Sequence, residues 1–394
     1  MRLKPIVIGA CILLATLSYY VTAIYTNKVM FMSDEMYWIS TSRVVQMLWQ
    51  SDFRNPEWKE YYGFANLNGA KFIYGAGLAL TGHTDTSITG VAPETYYRWT
   101  NLEPGYFPAN HTAYVMLRDA RYISALFTAL AIALIYVLVL LLGLPVTVAI
   151  ASAIIIAIHP VTKHVATHAF ADGIFLFFQM LLLCSLFWKG KIMGHRFTFL
   201  KEICIGAVLA YVISVKVNGA LFIPIVFLFT IMNPHKQANR EQSTQLSAKR
   251  LGIIAVSTIL GIVLLHPNFI FYPDYSPLQL MRDRGQITID HVAYYSRIDP
   301  SHVILKPTER IASFVRNSFP LWLGILSIAG ACITFLYARQ KRPYLLYLTA
   351  GFIVTLSVLA YCVFDEPRYF LPILPFIAVL AGYTATIFTP KKLR

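Results

Sequence analysis

The sequence predicts an all-α integral membrane protein, a bundle of about ten transmembrane helices. Three observations predict it. Of 394 residues, 57% are hydrophobic and only 13% charged, whereas a soluble domain is about a quarter charged, so lipid is the expected solvent. The apolar residues gather into uncharged runs at 5–26, 122–162, 251–273, 317–338, 343–364 and 369–390, each reaching the ~20 residues that cross a hydrocarbon core. The formal charge of +14 is also one-sided. The termini and the connections 189–202, 233–250 and 339–342 hold sixteen Lys and Arg against two acids, Glu202 and Glu241, while the remainder is balanced. This is the positive-inside pattern. It leaves no basic patch for nucleic acid.

Both termini are therefore expected in the cytoplasm, with an even number of crossings in the cell (inner) membrane. Met1-Arg2-Leu3-Lys4 precedes the first apolar run, no small-x-small cleavage site follows, and Tyr19, Tyr20 and Tyr25 form an interfacial anchor. A retained first span is expected. An outer loop, 27–120, follows. Ser33 is a candidate N-cap for a helix running to about Gln50, with Asp34 and Glu35 in its first turn, where acids ordinarily complement the helix dipole. Ser40, Arg43, Gln46 and Gln50 share a polar stripe opposite Tyr37, Val44, Val45 and Leu48, the pattern of an amphipathic helix lying in the interface plane.

Spans 2 and 3 divide at Gly143-Leu144-Pro145, a helix-breaking turn. From there to Lys189 the chain must cross twice, with His159-Pro160 through Asp172 at the outer tip. Residues 203–235 repeat the arrangement with Lys216-Val217-Asn218-Gly219 at the tip. Both hairpins have a short arm, so their tips sit at or below the membrane surface, where ionisable groups face a protein cavity. Span 7 rises to a second outer loop, 267–315. Spans 8 and 9 flank Arg339-Gln340-Lys341-Arg342, and span 10 follows Phe364-Asp365-Glu366-Pro367-Arg368-Tyr369. No repeat is evident, and 1–390 reads as a single domain. All five cysteines lie in apolar spans, where they act as small packing residues.

The densest polar cluster runs from His159 to Asp172. His164, His168 and Asp172 are spaced four apart, so on a continuous helix they stack along one face. Two imidazoles and a carboxylate suit a divalent metal. With Lys163 they equally suit a phosphate, and the plain alternative is a pair of histidines capping a wetted turn. Asp172 is harder to dismiss, because an idle carboxylate beside an apolar span is costly. A second group is cationic: Lys71, Arg118, Arg121, Lys216 and Arg368, at outer ends of spans. They can grip a lipid-linked phosphate or merely snorkel to the interface. In the second loop, Arg282-Asp283-Arg284 and Asp290-His291 have no spacing that specifies chemistry. No Walker loop, dinucleotide fingerprint, GxSxG or HExxH motif is present. Energy for group transfer would have to arrive with an activated substrate, which at the outer face means a lipid-linked donor.

Together these residues resemble the GT-C superfamily of polyprenyl-phosphate-dependent glycosyltransferases, nearest to glycosyltransferase family 39, the protein O-mannosyltransferases, and the lipid A aminoarabinose transferases. Ser33-Asp34-Glu35 follows span 1, where the family has its acidic motif. The run from Asn68 to Gly75 around Lys71-Phe72 is similar to the family's Pro-x-x-Lys-Tyr segment, with Asn68 and Gly69 where proline is usual. Arg118-Asp119-Ala120-Arg121-Tyr122-Ile123-Ser124 is similar to the Arg-x-x-Ser entry to span 2. Asp172, Val215-Lys216-Val217-Asn218-Gly219 and Arg368-Tyr369-Phe370-Leu371-Pro372 are similar to later segments. The soluble domain that many relatives carry is absent from this sequence.

The resemblance implies an inverting transfer from a polyprenyl-phosphate sugar to a lipid, glycan or protein acceptor at the periplasmic or extracellular face. Asp34 would be the general base and Glu35 would position a substrate. Arg368, Lys216, Arg121 and Lys71 would bind the donor phosphate. Asp172, with His164 and His168, would contact the donor or a divalent metal. The rival readings are a transporter or flippase of a lipid-linked glycan, which should carry mid-membrane charges and internal repeats, and a non-catalytic membrane assembly protein.

Overall fold

The structure is a computed structural model that describes residues 19, 33–55, 58, 67–83, 111–188, 198–232, 240–271, 282, 286, 347, 350–351, 353–355 and 367–387. No strand occurs among them. Two short helices come first, α1 (Ser33–Thr41) and α2 (Val44–Trp49), then α3 (Asn68–Leu80). The longest helix, α4 (His111–Leu141), contains a 28-residue apolar stretch, Tyr114–Leu141, which at ~1.5 Å per residue exceeds the bilayer core. Gly143 ends it at φ +77, with Leu144 N–H on the Val139 carbonyl and Gly143 N–H on that of Leu140. That pair of bonds is the Schellman closure, and Pro145 then opens α5 (Val146–Ile158).

The chain bends by 61° into α6 (Pro160–Thr167). Pro160 fits the first turn because its missing N–H would have had no helical partner, and His159 Nδ1 accepts the Val161 N–H at 3.2 Å. Next come α7 (Ala171–Phe187), α8 (Thr198–Val215), a 3-10 turn (Val217–Leu221), α9 (Phe222–Met232), α10 (Arg240–Leu265) and α11 (Asn268–Phe271). A second 3-10 turn (Pro367–Ile373) leads into α12 (Leu374–Ile387).

α4 is the hub and packs against α5, α6 and α7. α7 also meets α8, α8 meets α10, and α5 meets α12. Within a bilayer, small residues allow such close approach. A Cβ at Gly206 of α8 would lie 2.6 Å from the Ile254 carbonyl oxygen of α10. At the end of the bundle holding Trp188, the Arg250 Nε donates to Glu202 at 2.6 Å and Lys201 Nζ to the Trp188 carbonyl at 2.6 Å. These belong to the basic connections.

Among the described residues two helices are long and apolar enough to cross alone, Tyr114–Leu141 and Gln245–Leu265, and a third if the bent α5–α6 pair is one span; α7, α9 and α12 contribute shorter apolar helices. The expected runs 5–26, 317–338 and 343–364 lie almost wholly outside the described residues. One expectation needs revision. The helix from Ser33 is not continuous to Gln50. Three successive hydroxyls turn back onto backbone carbonyls: Ser40 and Thr41 on Tyr37, and Ser42 on Ile39. Such bonds compete with the helical ladder, and the helix breaks at Ser42-Arg43. Ser40, Tyr37, Trp38 and Ile39 are all buried, so α1 packs inside the protein instead of presenting a polar stripe to water.

Candidate functional site

The site is organised by five residues, His168–Asp172, which run from the end of α6 into the first turn of α7. The backbone is extended at His168 (φ −121, ψ 150) and Phe170 (φ −103, ψ 155). Extended segments leave N–H and carbonyl groups needing partners, and here other helices provide them. Glu35 of α1 accepts the Ala169 N–H at 2.8 Å, and the Tyr74 hydroxyl of α3 donates to the Phe170 carbonyl at 2.7 Å.

Three carboxylate–cation pairs meet this segment. Glu35 accepts two hydrogen bonds from Arg121, from Nε and one Nη, each 2.7 Å. Asp172 accepts from Lys216 Nζ at 2.6 Å, and Asp34 accepts from Arg368 at 2.6 Å. The Arg368 guanidinium also lies over the Phe170 ring, 4.5 Å from its centroid. The pairs differ in access. The Asp34 side chain is 39% exposed, whereas that of Glu35 is fully enclosed. A carboxylate must be reached by its substrate to act on it, so Asp34 is the accessible acid and Glu35 an internal tie.

The stack expected of His164, His168 and Asp172 does not form, because helix α6 ends at Thr167 and α7 begins at Ala171. His168 Nδ1 meets the His164 carbonyl at 2.8 Å and the two rings lie 4.5 Å apart, while Asp172 turns to Lys216. Among the described residues no three His, Cys, Asp or Glu side chains converge as a metal site. Lys163 is exposed, and Arg118 joins Asp119 (3.1 Å), which also meets His83 at 2.9 Å. Arg282 is exposed; Asp283, Arg284, Asp290, His291, Asp365 and Glu366 lie outside the described residues.

Lys71 of α3 is fully buried one turn before Tyr74, its Nζ 3.5 Å from Asn68 Oδ1 and 6.0 Å from the Tyr37 ring centroid. His266, just past α10, is 3.2 Å from Ser214 Oγ.

Three participants were not foreseen. Tyr74 holds the joining segment through the Phe170 carbonyl, and the Phe170 ring lies under Arg368. Gln179 of α7 donates to the Pro372 carbonyl at 2.8 Å, securing the turn that bears Arg368. A glutamine within the apolar helix Ala171–Phe187 was a readable signal, because polar side chains at membrane depth need partners. Tyr74 and Phe170 carry no such mark.

Compared with solved structures, the chain matches ArnT from Cupriavidus metallidurans, determined bound to undecaprenyl phosphate, with a TM-score of 0.61 at 14% identity. It also matches the Archaeoglobus fulgidus oligosaccharyltransferase tethered with an acceptor peptide, with a TM-score of 0.55 at 14% identity. Both are GT-C glycosyltransferases. This chain has a GT-C fold. The alignments take in 98% and 95% of this chain but 61% of the ArnT chain and 49% of the oligosaccharyltransferase, so this chain spans about three fifths of the first and half of the second. Residues 88–272 match the family described as dolichyl-phosphate-mannose-protein mannosyltransferase. No curated protein sequence matches the chain. In GT-C terms, the segment matching the mannosyltransferase family contains Arg121, Asp172 and Lys216, and the two outlying pieces supply Asp34 and Arg368.

Proposed function

We propose that the chain is a membrane glycosyltransferase that moves a sugar from a polyprenyl-phosphate donor to a lipid, glycan or protein acceptor, with inversion at the anomeric carbon. The observation that carries this reading is the meeting of three carboxylate–cation pairs on one five-residue segment at one end of a GT-C bundle, with Asp34 the most exposed of the three carboxylates. Undecaprenyl phosphate on the matched ArnT supports the donor class. The one-sided charge supports an active end facing away from the cytoplasm.

In this mechanism the acceptor oxygen attacks the anomeric carbon as the bond from that carbon to the donor phosphate oxygen breaks. Asp34 takes the acceptor proton, and polyprenyl phosphate leaves with the bonding electrons. Arg368 and Lys216, with side chains 11% and 21% exposed, retain access to meet the departing phosphate. Their charges stabilise what grows there in the transition state. Arg121 and Lys71, at 4% and 0% exposure, serve as internal supports in this scheme, not as phosphate ligands. Before donor arrives, Arg368 occupies Asp34 by a hydrogen bond of 2.6 Å. An incoming phosphate competes for Arg368 and so frees the base when a donor is in place. If the acceptor is itself a phosphate, Asp34 only orients it.

The transporter reading is less well supported, since these charges gather at one end of the bundle instead of mid-membrane. Purified protein given a labelled polyprenyl-phosphate sugar and acceptors should release polyprenyl phosphate. Asp34→Asn should lower turnover at least about a hundredfold with the Tm maintained. Full turnover in that variant would remove Asp34 as the base, and passage of intact donor across vesicles without cleavage would replace the enzyme with a flippase.

A further inference from the structure

Arg368 faces a difficulty in the proposed cycle. Its counter-ion must change from Asp34 to a phosphate, and a long side chain whose ion pair breaks ordinarily swings away. The structure holds a second partner that is uncharged. The Phe170 ring lies 4.5 Å beneath the guanidinium carbon, inside the range where an aromatic face attracts a cation. The ring also stacks with that of His168, nearly parallel at 8° with centroids 5.2 Å apart. Phe170 is fully buried and its carbonyl is held by Tyr74; the preceding amide is held by Glu35. The ring is thus fixed from α1, α3 and α6, and does not depend on either of the anions that Arg368 exchanges.

We infer that Phe170 is a positioning residue, a fixed aromatic face that keeps the Arg368 guanidinium in place while its partner changes from Asp34 to the phosphate of a polyprenyl-phosphate donor. This rests on the functional reading above and adds a residue to it. Phe170 touches no reacting atom and acts through Arg368. The ring carries no charge, so it holds the cation without competing with either anion. Attraction of a cation to a desolvated ring face is worth roughly tenfold to thirtyfold in an equilibrium constant.

The experiment measures polyprenyl phosphate binding to the full chain in detergent, and turnover beside it. Phe170→Leu should weaken binding about tenfold and raise the donor KM, while Phe170→Trp and Phe170→Tyr should stay close to wild type. Because the leucine variant could fold poorly, a fluorinated phenylalanine series at position 170 keeps the shape and drains the ring face. Affinity should fall stepwise with fluorine content at constant Tm. In an Arg368→Ala background the same series should have no effect. A flat series in a wild-type protein that binds donor, or an undiminished loss without Arg368, overturns the role of Phe170 alone. A wild-type chain that binds no polyprenyl phosphate overturns the functional reading, and the inference with it.

Discussion

Asp34 and Glu35 are neighbours in sequence and opposites in environment, and replacing Glu35 tests that contrast. Glu35→Gln keeps the shape and still accepts the Ala169 N–H, but it removes the charge facing Arg121. In the structure Glu35 is fully enclosed, Arg121 is 4% exposed, and two bonds of 2.7 Å join them. Hydrogen bonds to charged groups are each worth about 1.5–3 kcal/mol, and breaking one partner of a buried pair costs about 3–5 kcal/mol because the other charge remains. Since folded proteins are stable by only about 5–15 kcal/mol, Glu35→Gln should lower the Tm markedly. The assay is thermal unfolding in detergent of Glu35→Gln, Arg121→Met and the double variant. Each single change should destabilise by several kcal/mol, and the double should recover part of the loss, because no lone charge is left inside. A Glu35→Gln protein that keeps wild-type stability but loses turnover would refute the reasoning and return Glu35 to the chemistry.

Other expectations follow from the same geometry. Lys216→Met should raise the donor KM about tenfold or more, a charge-assisted contact being worth about 1.5–3 kcal/mol, and a phosphate-binding titration would register it; unchanged affinity would separate Lys216 from the donor. Gly69→Ala should cost about 1–3 kcal/mol in unfolding experiments, since the added Cβ would sit 2.7 Å from the Ser214 carbonyl carbon and 2.8 Å from Val215 N, backbone atoms that cannot step aside.

Local features were read well. The turn at Gly143 and the breaks between helices at His159–Asp172 and around Lys216 follow from apolar runs and their breakers. The pairings were not legible. Asp34 and Arg368 are 334 positions apart, and Glu35 and Arg121 are 86 apart; nothing in the spacing of either assigns a partner. The spacing of His164, His168 and Asp172 pointed to one helical face, because a four-residue period is visible in sequence and a helix end at Thr167 is not announced by any glycine or proline there. The polar stripe of Ser40, Arg43, Gln46 and Gln50 misled as well, because it assumes one continuous helix, whereas the hydroxyls of Ser40, Thr41 and Ser42 turn onto backbone carbonyls where the helix breaks.

The distance in sequence between Asp34 and Arg368 has a consequence for biosynthesis. At roughly 5–20 residues per second, the ribosome needs on the order of 15 to 70 s to travel from one to the other. Glu35 can meet Arg121 early in that interval, but Asp34, the base in the proposed mechanism, waits without its arginine until residue 368 has been made. On the proposed function a nascent chain therefore lacks a working centre until then, and the cell is spared a half-made enzyme acting on its lipid-borne sugars.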